Sequence, residues 1–254
     1  ALTAAGLKLV STAGASFTLE TPTNDVATLA AAVSGGTGLV SYVDADAFAI
    51  GTVDGTSGVT TAGGEVTLDI AGSSDISLAA PTAVSTAGGT VTFMDPVVLA
   101  LATVVSSGAG DVNFDGTTDG AFALTVNSSG ATTFSGAVGG TTPLAGLATD
   151  SGGSTTLAAN VSTSDGPVDL NDAVNLAGAV VVSSGTGAVN FDATTDGAYA
   201  LTVNSTGTTT FTGAVGGTTP LASLATDAGG TTILAANVST NNGSVDLNDA
   251  VNLA

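Results

Sequence analysis

The chain repeats itself with a period of 77 residues, and this period constrains its fold more than any other feature. Residues 111–177 and 188–254 differ at only 13 of 67 positions. The match extends upstream to about residue 89 and then decays. Seventy-seven residues exceed the length of one simple structural unit, and glycine-rich corners divide the period into segments of about 20 residues. One such segment is residues 188–207, and about four of them would fill a period.

Within these segments, apolar residues alternate with small or polar ones. Phe122, Leu124 and Val126 share one parity, and Ala121, Ala123 and Thr125 take the other. A period of two is typical of β-strands with one buried face. Glycine-containing corners recur every eight to twelve residues, which is the spacing of short strands separated by turns.

Short strands, frequent corners and a unit of about 20 residues predict an all-β fold. We expect a right-handed parallel β-helix, or β-solenoid, of about twelve coils in which strands stack about 4.8 Å apart. The alternative is a string of antiparallel sandwich domains of about 77 residues. The solenoid is favoured because two-residue hairpin loops are few.

The repeat also predicts the organisation of the chain. We expect residues 1–254 to form one continuous solenoid segment of a longer repetitive protein. Residues 1–88 are degenerate coils, residues 89–165 and 166–242 are two copies of the super-repeat, and residues 243–254 begin a further copy.

Charge and composition exclude several classes of function. The chain has 21 acidic residues, one basic residue (Lys8), no His and no Cys, and its net charge is -20. Without basic clusters it cannot neutralise phosphates, so we expect no nucleic-acid binding. No apolar run reaches 18 residues, so we expect no membrane insertion. Thiolate metal sites and His-dependent triads are excluded as well.

The Asp-Gly-Thr-Thr-Asp-Gly stretch at residues 115–120 is the first candidate site. Calcium would need six to eight convergent oxygens, and Asp115 and Asp119 supply only some of them. The second copy offers Asp192 and Asp196, with Ala193 in place of Gly116. We therefore expect weakly bound calcium at most and no other cofactor. The favoured interpretation is that these residues form polar corners, and the change to Ala193 indicates that the backbone path does not need the glycine.

The segment at residues 168–177, which recurs at 245–254, is the second candidate. Asp169, Asn171 and Asn175 alternate with apolar residues and should lie on an outer face. Paired acids of this kind occur in β-helix glycosidases. Because the cluster recurs in successive copies, a solvated structural face is favoured. Threonine content raises the separate possibility of an ice-binding ladder, but the Thr positions change from unit to unit.

Residues 17–68 and 112–150 resemble repeats of very large bacterial surface proteins, of the filamentous-haemagglutinin-like or β-strand-repeat type. The resemblance implies a right-handed β-helix, export to the cell surface or medium, and a role as an adhesin shaft, matrix fibre or filament. It supplies no catalytic residues.

Together these features predict a non-enzymatic, extracellular structural or adhesive rod at the bacterial surface. Its expected partners are further copies of itself, end to end or side by side in filaments, and cell-surface or matrix glycans. The alternatives are a carbohydrate-active β-helix enzyme and a calcium-dependent repeat module.

Overall fold

The computed structural model describes all 254 residues as an all-β parallel solenoid with no helix. Its 34 strands, numbered in chain order, are short because glycine and polar corners interrupt every run of alternating residues. They are β1 (Thr3–Ala4), β2 (Leu7–Ser11), β3 (Phe17–Leu19), β4 (Asp25–Val26), β5 (Thr28–Val33), β6 (Val40–Asp44), β7 (Phe48–Ile50), β8 (Thr52–Val53), β9 (Thr56–Ser57), β10 (Val59–Thr61), β11 (Val66–Ile70), β12 (Ile76–Leu78), β13 (Thr82–Ser85), β14 (Val91–Phe93), β15 (Val97–Leu99), β16 (Thr103–Gly108), β17 (Val112–Phe114), β18 (Thr118–Asp119), β19 (Ala123–Ser128), β20 (Ala131–Phe134), β21 (Gly146–Thr149), β22 (Ser154–Leu157), β23 (Val161–Ser162), β24 (Val168–Leu170), β25 (Ala173–Leu176), β26 (Val180–Gly185), β27 (Val189–Phe191), β28 (Thr195–Asp196), β29 (Ala200–Ser205), β30 (Thr208–Phe211), β31 (Ser223–Thr226), β32 (Thr231–Leu234), β33 (Val245–Leu247) and β34 (Ala250–Leu253).

Successive strands fall on three faces, and each face is a stack of parallel strands. The first face has twelve strands, which gives about twelve turns of about 21 residues. It contains β2, β5, β10, β13, β16, β19, β21, β24, β27, β30, β32 and β34. The second face contains β3, β6, β11, β14, β17, β20, β22, β25 and β28, followed by single bridges at Val215 and Val238. The third face contains β1, β4, β7, β12, β15, β18, β23, β26, β29, β31 and β33, with a bridge at Val138 between β18 and β23.

The core is one cluster of 46 buried residues that runs inside the three faces. It consists of columns in which each side chain packs on its counterpart one coil away. On the second face, Phe93, Phe114 and Phe134 form such a column, with successive ring centroids 5.0 Å apart. Val and Leu fill most other places, because little space is left between three closely spaced sheets.

The 77-residue period does not contain a whole number of coils. Between Val112 in β17 and its equivalent Val189 in β27 the chain passes eleven strand positions, which is three coils and two further faces. Equivalent residues of the two copies therefore lie on different faces. Phe114 and Phe134 stack on the second face, whereas Phe191 and Phe211 stack on the first. The sequence prediction of about four units per period is close to this value, but the sequence analysis did not foresee the change of face.

The only antiparallel pair is the hairpin of β8 and β9, which is inserted between the third and first faces. Its two-residue turn, Asp54-Gly55, has positive φ at both positions, which suits the twist of a tight hairpin. The single basic side chain holds this turn, since Lys8 Nζ donates to the carbonyl oxygen of Asp54 over 2.8 Å.

Gly116 has no positive φ, so its backbone path does not need a glycine, as the sequence analysis expected, but it packs tightly on the coil below. A Cβ atom added to it would lie 2.5 Å from the backbone nitrogen of Pro96, one coil below. In the second copy Ala173 occupies the place of Pro96, and Ala193 that of Gly116. The atoms that the Cβ would meet are backbone atoms of Asp95 and Pro96, which residues of any type have, so the proline ring itself is not what it touches.

Candidate functional site

The predicted calcium ligands Asp119 and Asp196 bind backbone amides of the next coil. Asp119 Oδ1 accepts hydrogen bonds from the amides of Thr141 (2.8 Å) and Thr142 (3.0 Å). Asp196 Oδ1 accepts the equivalent pair from Thr218 and Thr219, at 2.8 and 2.9 Å. Each carboxylate thereby caps the loop stacked on it.

The other two predicted ligands, Asp115 and Asp192, are exposed at corners. Asp192 accepts a hydrogen bond from the hydroxyl of Thr212 at 3.3 Å. The structure contains no group of three or more acidic side chains arranged to hold a metal ion. Weak calcium binding at Asp115, Asp119, Asp192 and Asp196 therefore stays a prediction, and the geometry describes the four residues as corner residues.

Contacts of this kind between coils recur along the chain. Asp150 accepts the Ser128 amide at 2.7 Å, and its equivalent Asp227 accepts the Ser205 amide at 2.9 Å. Asp165 accepts both the amide and the hydroxyl of Thr186, and these bonds lower the pKa of its carboxyl. A charged acceptor strengthens a hydrogen bond, so much of the acidic charge stabilises the stacking of coils.

The second candidate segment, residues 168–177, has the predicted outer positions and one buried acid that the sequence analysis missed. Asp169 and Asn171 are half-buried and Asn175 is exposed. Asp172 is buried; it accepts the Gly153 amide at 2.8 Å and the Thr155 hydroxyl at 3.3 Å. Burial raises the pKa of this carboxyl, although the two donors oppose the rise. Its signal in the sequence is weak, because Asp also suits an exposed corner.

Two further polar contacts involve Asp95 with Asp69, and Asp44 with Tyr42. Burial raises the pKa of Asp95, and the neighbouring carboxyl of Asp69 adds to the rise. Asp44 is fully buried, accepts the Val26 amide at 3.0 Å and also accepts the hydroxyl of Tyr42. Burial and this hydrogen bond raise the pKa of Tyr42, so its hydroxyl stays protonated. These contacts fix a polar corner inside the rod.

A column of polar side chains follows the outside of the second face. Sequence alone predicts no regular ladder, because the corners between strands vary in length. The register brings one hydroxyl, amide or acid from each of nine coils into line: Thr18, Ser41, Thr67, Thr92, Asn113, Thr133, Thr156, Asn175 and Asp196. The column is regular in position but mixed in chemistry, so it is not an unbroken threonine ladder.

Two shallow grooves lie on the outer surface. The first, of about 220 Å³, spans β3, β6 and β11 on the second face and is lined by Glu20 and Glu65, the only glutamates of the chain. Glu20 accepts a hydrogen bond from the Ser41 hydroxyl at 2.6 Å. The second groove, of about 130 Å³, spans β19, β21 and β24 on the first face and includes Asp169.

The only aromatic side chains with large exposure are Phe122 and Tyr199. They occupy equivalent positions of the two copies, at the corner before β19 and before β29.

Comparisons with known proteins found no matching family model, curated protein or solved structure. No segment forms a helix long and apolar enough to cross a membrane.

Proposed function

We propose that this chain forms part of an extracellular rod with a structural or adhesive role at a bacterial surface. The observation that carries the proposal is the uninterrupted stacking of about twelve coils on one continuous core. With a rise of about 4.8 Å per coil, such a stack is roughly 60 Å long. Backbone hydrogen bonds run along its axis, so tension is shared by many parallel ladders.

The distribution of charge supports the same role. The surface is acidic, with a net charge of -20, and this keeps individual rods soluble. The corner carboxylates mostly bind amides between coils rather than converging on one catalytic point. A non-catalytic, repetitive surface protein of the adhesin type fits this pattern, with glycans of the cell surface or matrix as partners.

Self-association is the second element of the proposal. Each coil has unpaired backbone groups along its upper and lower edges until another coil covers it, and such edges template further pairing. End-to-end stacking of copies would therefore extend the ladders into a filament. Lateral packing between bare rods is opposed by their like charge, unless divalent cations bridge them.

Surface labelling of intact producing cells, combined with electron microscopy of the purified chain, tests this proposal. We expect antibodies against the chain to label cells without permeabilisation, and particles to be narrow rods that lengthen with protein concentration. Labelling that needs permeabilised cells would rule out the surface role. Rods that keep one length at every concentration would rule out end-to-end assembly.

One observation favours a carbohydrate-active enzyme as a second candidate. Glu20 and Glu65 line the same groove, and paired carboxylates flanking a glycosidic bond are the machinery of most glycosidases. Release of reducing sugar from a panel of polysaccharides, abolished by Glu20→Gln and by Glu65→Gln, would support this activity. If both variants released as much reducing sugar as the unmodified chain, the activity would come from a contaminant.

A further inference from the structure

The groove on the first face combines a concave surface with an exposed ring and a free acceptor. Outward residues of three stacked strands line it: Ala123, Thr125, Gly146, Ala148, Pro167 and Asp169. Most of these side chains are small, which leaves a depression of about 130 Å³ in an otherwise flat sheet.

Phe122 is a neighbour of two residues that line this groove. It directly precedes Ala123, and its carbonyl oxygen accepts the amide of Ala145, which also lines the groove. Phe122 is 40% exposed, whereas the phenylalanines in the strands of both copies are buried in the core. The second copy keeps a ring at this position, since Tyr199 is 44% exposed.

Asp169 supplies the polar contact. Its Oδ1 accepts the side-chain amide of Asn190 at 2.6 Å, which fixes the orientation of the carboxylate. Its second oxygen has no donor within the chain and can accept a hydroxyl group. The half-buried hydroxyl of Thr125 lies in the same groove.

The groove forms in only one of the two copies. In the second copy Ser223 replaces Gly146 and Ser244 replaces Pro167. No groove is present at that place, although the aromatic residue and the acid, Asp246, are retained. The neighbouring strands differ as well, because β27 pairs with the far edge of β24, whereas no strand pairs with the far edge of β33.

These features fit one unit of a neutral polysaccharide. A sugar ring has an apolar face that can cover an aromatic ring, and hydroxyls that bind carboxylate and threonine oxygens. An anionic polymer would be repelled, because the only basic side chain is Lys8, which is bound at Asp54. A groove of this size is far below the roughly 300–1,000 Å³ of sites that enclose a small molecule, which suits one unit of a longer chain.

A protein partner fits less well. Stable protein interfaces cover roughly 800 Å² on each partner and depend on clustered aromatic or Arg anchors. Here one exposed ring neighbours a groove lined mostly by Ala, Gly and Thr residues, and the net charge of -20 opposes contact between two copies.

We propose that the groove between β19, β21 and β24, which contains Asp169, binds a neutral sugar unit of a polysaccharide that also covers the neighbouring ring of Phe122. The proposal rests on the adhesive function proposed above and gives that function a contact site. A single site of this kind binds weakly, and several rods in a filament would bind one polymer by avidity.

Amide chemical shifts of the isotope-labelled chain, titrated with cellohexaose, maltohexaose and mannohexaose, test the site. We expect one or more of these probes to shift the amides of residues 123–125, 146–148 and 169. Polygalacturonate, as an anionic probe, should leave them unchanged. Phe122→Ala and Gly146→Ser should each weaken binding about tenfold, equivalent to about 1.4 kcal/mol.

We expect Phe122→Ala and Gly146→Ser to leave the fold intact. Phe122 is exposed, and a Cβ on Gly146 would meet no atom closer than 3.4 Å. Ser is also the natural residue at the equivalent position 223. Met94→Ala is the matched control, because Met94 is 49% exposed and lies outside the groove; it should bind like the unmodified chain.

Three outcomes would overturn the proposal: no shift at the groove with any neutral probe, binding of polygalacturonate there, or equal weakening by Met94→Ala. If the amide chemical shifts at the groove changed with protein concentration in the absence of sugar, the groove would instead be a contact with a second copy of the chain. None of these results changes surface labelling or the rod shape, so failure of the sugar site is distinguishable from failure of the adhesive rod.

Discussion

Phe134 stacks on Phe114 with ring centroids 5.0 Å apart and ring planes inclined by 8°, and the two rings come from neighbouring coils. The equivalent rings of the next copy, Phe191 and Phe211, stack in the same way at 4.8 Å. They do so on another face, because a period of eleven strand positions is not divisible by three faces. The same stacking of phenylalanine rings therefore occurs on two faces of the rod.

We expect Phe114→Ala to destabilise the protein by about 3–5 kcal/mol, because it opens a cavity between two stacked rings. The urea midpoint of unfolding measures this loss. Phe122→Ala removes the same atoms from an exposed position and should change the midpoint little. Similar losses from both variants would contradict the buried column.

Thr132→Val should stabilise the protein by about 1 kcal/mol, because the Thr132 hydroxyl is buried without a hydrogen-bond partner. Val keeps the shape of the side chain. Thr209, the equivalent residue, should respond in the same way. Thr155→Val is the matched control: this hydroxyl donates to the buried Asp172, so its loss should cost about 1–3 kcal/mol. Thermal unfolding of the three variants distinguishes gain from loss.

Gly116→Ala should destabilise the first copy, because the new Cβ would lie 2.5 Å from the Pro96 nitrogen. The double variant Pro96→Ala with Gly116→Ala recreates the pair found in the second copy, Ala173 and Ala193. Without the proline ring the backbone at residue 96 can shift away from the new Cβ. We therefore expect part of the lost stability to return, with a coupling of roughly 0.5–3 kcal/mol in a double-mutant cycle. Additive effects would show that the two residues do not interact.

Asp172→Asn should remove a pH dependence of stability. Burial raises the folded-state pKa of Asp172, so its stabilising contribution is full below the unfolded pKa and is lost as pH rises through the folded pKa. The unmodified protein should therefore gain stability relative to the variant as pH falls from 7 through the folded pKa toward about 4, near the unfolded value. Denaturation midpoints at several pH values measure this difference.

Asp165→Asn should remove a pH dependence of stability of the opposite sign. Its pKa is lowered by the Thr186 amide and hydroxyl, so its contribution is present above the unfolded pKa and lost as pH falls through the folded pKa. Asn is tolerated at the equivalent position 242, which also has a positive φ. If both variants followed pH in the same direction, the assigned causes of the two shifts would be incorrect.

Deletion of residues 112–188 should give a folded, shorter rod. Val189–Phe191 would then take the place of Val112–Phe114 and stack on Phe93, although this strand normally lies on the first face. The rod should shorten by about 18 Å, given about 4.8 Å per coil. Small-angle scattering measures the length. Deletion of residues 112–178, ten residues fewer, breaks the phase of the coils and should lose stability.

The sequence alone predicts the parallel solenoid, the coil of about 20 residues and the strands with one buried face. These properties are local: alternation defines a strand, glycine-rich stretches define corners, and similar units must stack to bury their apolar faces. It also predicts that Asp115, Asp119, Asp192 and Asp196 are corner residues, but not that Asp119 and Asp196 bind amides one coil away.

Only the tertiary structure decides which face of the solenoid each part of the 77-residue repeat occupies. The spacing of stacked residues ranges from 19, between Thr155 and Val174, to 28, between Ala31 and Val59. Corner length sets this spacing, and corners carry no hydrophobic pattern that reveals it. The position of the repeat relative to the coil places Phe191 on a different face from Phe114 and Gly116 directly above Pro96. It also places Asp169 in the same groove as β19, the strand that follows Phe122. Such pairings join residues distant in sequence, so they exist only once the coils are stacked.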